Sequence, residues 1–148
     1  MKVHGRHSFG ASRGAVFAQI CDPQALMAVI PGCESVVEVT PGEYVGRIAL
    51  RLPGITGSFR TTVRLVDTMP PQSSGLEGGV EGPMGSIAGR ADFVLRETNA
   101  GTEIEYNGSG AITGPLARLD SRFAERLAES LIEQGLRALE TRLAGKAQ

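Results

Sequence analysis

Tryptophan is absent from this 148-residue chain, and other aromatics are few: five Phe and two Tyr. A core built on stacked rings is therefore excluded. Cysteine is equally scarce. Cys21 and Cys33 are the only two, too few for a disulfide framework, and no CxxC pair or Cys/His cluster offers a metal its ligands. Lysine occurs only at Lys2 and Lys146, so the positive charge is nearly all arginine. Neither sign dominates, since 15 Lys and Arg face 16 Asp and Glu. A protein that rides on a nucleic-acid backbone is usually basic overall, so no nucleic-acid partner is expected. No stretch approaches the ~18 apolar residues of a membrane span. The N-terminus lacks the apolar segment of a signal peptide. A cytoplasmic protein is the expectation.

Glycine is the residue in excess: 20 of 148, about twice the ordinary share. With 41% hydrophobic and 21% charged residues, the chain has the composition of one ordered domain spanning 1–148. Many glycines and few aromatics suggest curved strands with space between layers.

Residues 2–9 alternate with period 2, placing Val3, Gly5, His7 and Phe9 on one face of a strand. Ser12 is a candidate N-cap for a short helix carrying Ala15, Val16 and Ile20. Asp22-Pro23 opens a second, and Pro31-Gly32 stops it. From 34 to 113 the pattern is strands and turns. Tyr44, Gly46, Ile48, Leu50 and Leu52 share a face, as do Phe59, Thr61, Val63 and Leu65. So do Leu76, Gly78, Val80 and Gly82; Ala91, Phe93 and Leu95; and Thr102, Ile104, Tyr106, Gly108 and Gly110. The opposite faces are charged, the mark of antiparallel strands packed on one side. Pro53–Gly57 reads as a turn, and the glycine-rich 85–89 as a connection between strands. Gly114-Pro115 then opens a long helix with a leucine stripe over 115–144. The predicted fold class is α+β: a curved, six- to seven-stranded antiparallel sheet wrapped around a long C-terminal helix, with two short helices after strand 1.

That order resembles the helix-grip fold of the START-like (SRPBCC) superfamily. Particular words narrow the resemblance. Asp22-Pro23, Leu26 and Ile30-Pro31-Gly32-Cys33-Glu34 are similar to a segment of the carbon monoxide dehydrogenase G-subunit family. Tyr44-Val45-Gly46, Gly57-Ser58-Phe59, Gly85 with Gly89, Gly101-Thr102 and Gly114-Pro115-Leu116-Ala117 fall where that family has similar residues. The resemblance implies a non-enzymatic accessory protein. Its implied partners are an apolar quinone- or lipid-like molecule and the subunits of a molybdenum hydroxylase-type enzyme, which it helps couple to the membrane. Peripheral contact at the inner face of an anionic membrane is the implied attachment. Some relatives continue past the long helix into a membrane-attaching tail. This sequence ends at Gln148, so any attachment is expected to be weak and reversible.

The inward glycines carry two readings: room for a ligand between sheet and helix, or bends that pack tightly. If a cavity exists, the expected lining is His7, Tyr44, Ile48, Phe59, Val63, Val80, Phe93, Ile104 and Tyr106 from strands, with Phe123, Leu127 and Leu131 from the helix. His7 and Tyr106 are its expected polar groups. Arg47, Arg51, Arg60 and Arg64 should share the outer face of two strands, a basic patch unless Glu77 and Glu81 neutralise it. The apolar turn around Ile55 is a candidate for membrane or partner contact. Cys33 lacks a visible base and reads as a small buried hydrophobe. No catalytic residue, metal site or cofactor is expected. The rival reading is a polyketide cyclase/dehydratase-like enzyme of the same fold, using Tyr106, Tyr44, His7 or Asp92 for acid–base work. Such a site needs two or three converging titratable groups. A pure interaction module with a filled core is the third reading.

Overall fold

The structure is a computed structural model that describes residues 1–146. The period-2 segments form seven strands: β1 (Lys2–Phe9), β2 (Cys33–Thr40), β3 (Glu43–Leu52), β4 (Ile55–Met69), β5 (Ser73–Gly82), β6 (Gly85–Thr98) and β7 (Gly101–Thr113). They pair antiparallel in the order β1-β7-β6-β5-β4-β3-β2. Two short helices, α1 (Arg13–Ile20) and α2 (Pro23–Val29), follow β1. Both caps act as their residue types dictate. Ser12 Oγ accepts from the Ala15 amide at 3.2 Å, and Asp22 Oδ1 from the Gln24 amide at 2.9 Å. This is the helix-grip architecture.

Three boundaries differ from the sequence reading, each for a local reason. The β3–β4 turn is only Pro53-Gly54, because Leu52 pairs directly with Ile55. Gly54 takes φ +81°, the conformation a tight turn with Pro at its second position asks of its third. Residues 85–89 are the start of β6 and not a connection, since Gly82 already pairs with Gly85. The long helix does not begin at Pro115. Residues Gly114–Arg118 form one 3-10 turn, and α3 runs from Ser121 to Lys146. Asp120 is its cap, Oδ1 accepting from the amides of Arg122 at 2.9 Å and Phe123 at 3.2 Å. The 26 residues of α3 span about 39 Å.

The sheet bends at a row of glycines. Gly78, Gly89 and Gly110 are register partners across β5, β6 and β7. Gly78 has φ +148°, and a Cβ there would collide with the Thr62 carbonyl of β4. A Cβ on Gly89 would collide with the Ser109 carbonyl of β7. At these positions glycine makes a crease, because a Cβ would point at a neighbouring strand's carbonyl.

The apolar interior is divided in two. One cluster gathers Phe9, Val16, Phe17, Val29, Phe93, Leu95 and Ile104 around Leu139 and Leu143 of α3. The other gathers Ile55, Phe59 and Leu116, with Leu50, Leu52, Val80, Ile87, Leu119 and Leu127 against them. Each fully buried Leu or Phe stabilises by roughly 1.5–3 kcal/mol. The first cluster therefore anchors the C-terminal half of α3, while the second meets only its first turns.

Candidate functional site

Between the two clusters lies a cavity of about 470 Å³, within the range that holds small-molecule ligands. Its walls come from every layer: Leu26, Val29, Ile30 and Pro31 around α2, Ile48, Leu50 and Leu52 on β3, Ile55 and Phe59 on β4, and Ile87 and Phe93 on β6. Leu116, Leu119, Ala124, Leu127, Ala128, Leu131 and Leu136 close it from the C-terminal region. The lining is almost wholly hydrocarbon.

Of the lining expected from sequence, Ile48, Phe59, Val80, Phe93, Ile104, Tyr106, Leu127 and Leu131 are brought together here. Four residues are placed elsewhere. The His7 ring, edge-on to Phe9 at 5.0 Å, has Nε2 2.8 Å from Glu140 Oε1 on α3. A carboxylate only accepts, so Nε2 carries the proton and His7 is committed to pinning the helix. Tyr44 is buried, and its hydroxyl donates to the Cys21 carbonyl at 2.7 Å, tying β3 to the end of α1. Val63 lines a smaller hollow of about 250 Å³ over the glycine crease, with Gly78, Gly108 and Gly110. Phe123 is half-buried on the first turn of α3 and lines neither space.

Ile55 is not at an exposed tip. Because the turn ends at Gly54, Ile55 is the first inward residue of β4, 8% exposed and packed with Phe59 and Leu116. The inward glycines do not create the main cavity either, for none of the strand glycines lines it. Residues missed from sequence include Gln19, Pro31, Leu50, Leu116 and Leu119. Gln19 follows Val16 by three positions in α1, a helical spacing that puts the two on one side.

Polar groups at the cavity are few. Asp92 touches it, but its carboxylate is taken by Arg90 at 2.9 Å, and Arg90 also binds Asp67 and Glu77. Gln19 Oε1 accepts from Arg142 Nε at 2.9 Å. The Tyr106 hydroxyl makes no hydrogen bond to another side chain or backbone group among the described residues. Burial, then the Glu129 and Glu133 carboxylates, push its pKa up, so it stays protonated. Burial also raises the Cys21 and Cys33 thiols, which makes both poor nucleophiles. Among the described residues, no three His, Cys, Asp or Glu side chains gather to hold a metal ion.

On the outer face, Arg47 stands directly opposite Arg60, and Arg51 opposite Thr56. Arg64 is neutralised by Glu77 at 2.8 Å, and Arg60 meets Glu81 at 3.7 Å. Arg47 and Arg51 have no carboxylate partner among the described residues; Arg47 donates to Ser58 Oγ at 3.3 Å. No helix is long and apolar enough to cross a membrane among the described residues.

The same fold recurs in solved structures of low identity. A conserved protein from Geobacillus kaustophilus superposes with a TM-score of 0.93 at 20% identity, covering 98% of this chain and 96% of that one. A START superfamily protein from Mycobacterium smegmatis gives 0.75 at 12% identity, with 97% of each chain covered. A protein from Rhizobium leguminosarum gives 0.73 at 15% identity, covering 95% of this chain and 92% of that one. Such likeness defines a START-like fold and nothing narrower. The narrower statement comes from the sequence: residues 5–144 match the family model of the carbon monoxide dehydrogenase G subunit (CoxG). The chain belongs to that family. No curated protein matches the sequence.

Proposed function

We propose that this protein is a non-enzymatic carrier that holds a quinone- or lipid-like molecule in the cavity under α3. In this reading it helps couple a molybdenum hydroxylase-type enzyme to the membrane, working as a single domain on the cytoplasmic side. The observation that carries the reading is the cavity itself, about 470 Å³ of hydrocarbon-lined space between two separate cores. Burying apolar surface there stabilises a complex by roughly 25 cal/mol per Å². Ile48, Phe59, Val80, Phe93, Ile104, Leu127 and Leu131 supply contact area, with Tyr106 as a polar handle. Membership of the CoxG family supports the accessory role. Arg47, Arg51 and Arg60 supply the membrane or partner contact, with no contribution from the buried Ile55.

The test is to fill the cavity without disturbing the fold. Ala128 lines the cavity on α3, so Ala128→Leu places its added volume in open space. Binding of the neutral fluorescent probe N-phenyl-1-naphthylamine should fall strongly while the melting temperature stays within a few degrees. A wild-type protein that binds no apolar probe, and yields no co-purifying lipid by native mass spectrometry, would overturn the carrier reading.

A further inference from the structure

A glycine stands in the interior of α3 with no steric reason to be there. Gly135 lines the cavity from within the helix, and a Cβ added to it would meet only the Val29 carbonyl of α2, at an ordinary 3.6 Å. Alanine would fit and would hold the helix better, because glycine has the most backbone freedom to lose on folding. The chain thus keeps a bendable point in the middle of its longest helix.

The helix is held differently on the two sides of that point. Beyond it, Leu139 and Leu143 are buried in the first cluster, Glu140 meets His7 at 2.8 Å, and Gln19 of α1 accepts from Arg142 at 2.9 Å. Before it, Leu131 and Ile132 line the cavity and belong to neither cluster. Ala124 is buried and Leu127 packs on the second cluster. Among the described residues, the side-chain hydrogen bond that ties this half to the sheet is the one Glu125 Oε2 accepts from the Lys2 amide at 3.0 Å. Arg122 and Arg126, exposed and four residues apart, repel each other near the positive end of the helix dipole. The Glu133–Arg137 pair spans the glycine on the exposed face, where such a pair adds little. At the far end of this half the backbone leaves the helix, for Leu119 is extended, with ψ 145°, just before the Asp120 cap.

We infer that residues 121–134 are the gate of the cavity, a helical segment that lifts between a hinge at Gly135 and the extended Leu119 while the rest of α3 stays seated. The purpose of the gate rests on the carrier reading; the hinge rests on the packing of α3 alone. Lifting the segment parts Glu125 from the Lys2 amide and uncovers the cavity beside Met1, which also lines it. Hinge motions of this kind fall in the microsecond-to-millisecond range. Entry and exit of a ligand both wait on the same opening, so stiffening the hinge slows both and leaves the affinity in place.

The experiment pairs stopped-flow binding of N-phenyl-1-naphthylamine with hydrogen exchange. Gly135→Ala should raise the melting temperature by about 2–4 °C. It should slow association and dissociation of the probe together, by about three- to tenfold, with Kd within about twofold of wild type. Glu125→Ala, which removes the tie to Lys2, should speed both rates. In the wild-type protein, amides of residues 125–134 should exchange at least about tenfold faster than those of 139–143, with the boundary at Gly135. A Gly135→Ala protein that binds more weakly through faster dissociation, at unchanged association, would overturn the hinge and make the glycine plain room for the ligand. Uniform protection along α3 would overturn it as well. If the probe does not bind at all, the carrier reading falls, and the exchange boundary decides the hinge by itself.

Discussion

Gly5 of β1 and Tyr106 of β7 are register partners, and the phenol lies over the glycine: a Cβ on Gly5 would stand 2.5 Å from Tyr106 Oη. The glycine thus holds open the seat of the Tyr106 ring. Gly5→Ala should displace the ring, at about 1–3 kcal/mol of stability. Near-UV circular dichroism can follow the ring, because the chain has only two tyrosines and no tryptophan. An unchanged tyrosine signal in Gly5→Ala would mean that the ring keeps its place, against the predicted displacement.

Both tyrosines resist ionisation. Burial leads the causes for each, followed for Tyr44 by Cys21, Glu38 and Asp22 and for Tyr106 by the two glutamates of α3. Folding therefore holds the phenolic protons more tightly than the unfolded chain does. That share of stability is fully present below the ordinary tyrosine pKa of about 10 and is lost as pH rises through the higher folded values. The raised thiols act with the same sign from about pH 8.5. Denaturant midpoints should stay level on these groups' account to about pH 8 and fall steadily above pH 10. Ultraviolet titration should show little tyrosinate until the protein unfolds.

Two substitutions separate the crease from the cavity. Gly78→Leu looks from alternation alone like a harmless filling of inward space. Its Cβ would strike the Thr62 carbonyl, and its φ of +148° suits no L side chain. It should cost more than about 3 kcal/mol or prevent folding. Ile55→Asp should be as damaging, since it buries a charge beside Phe59 and Leu116. A soluble Ile55→Asp with wild-type melting and reduced membrane affinity would contradict the buried position.

The contrast shows what a linear pattern can and cannot carry. Strand faces were legible because side chains alternate strictly, and the family word from Asp22 to Glu34 pointed to the same fold. Ile55 was legible in principle: it keeps the parity of Phe59, Thr61 and Val63 once the turn is taken as Pro53-Gly54 alone. Asp120 was likewise a readable cap, overshadowed by the stronger Gly114-Pro115 signal. The destination of His7 was not legible. Alternation puts it inward, but only the docking of α3 reveals that Glu140 takes its nitrogen. The same holds for Gln19, whose amide oxygen is taken by an arginine 123 positions away. The crease was misjudged because inward parity says nothing about which way a Cβ points once a strand bends.

The outer face leads to the last prediction. Arg47 and Arg60 repel each other as direct cross-strand partners, and Arg47 and Arg51 lack carboxylate partners among the described residues. Arg60 is only loosely held by Glu81 at 3.7 Å, whereas Arg64 is bound by Glu77 and contributes little free charge. An anionic surface would relieve the Arg47–Arg60 repulsion. Each basic side chain near such a surface adds about 1 kcal/mol, falling off within a Debye length. Three give weak, salt-sensitive docking suited to a carrier that loads and leaves. Flotation with phosphatidylglycerol-containing liposomes should therefore show association at low salt that fades toward physiological ionic strength. Arg47→Glu with Arg51→Glu should abolish it, while Arg64→Glu should have a smaller effect. Equal losses from all three positions would mean that Arg64 leaves Glu77 on binding; no association even at low salt would mean that a protein partner loads the cavity.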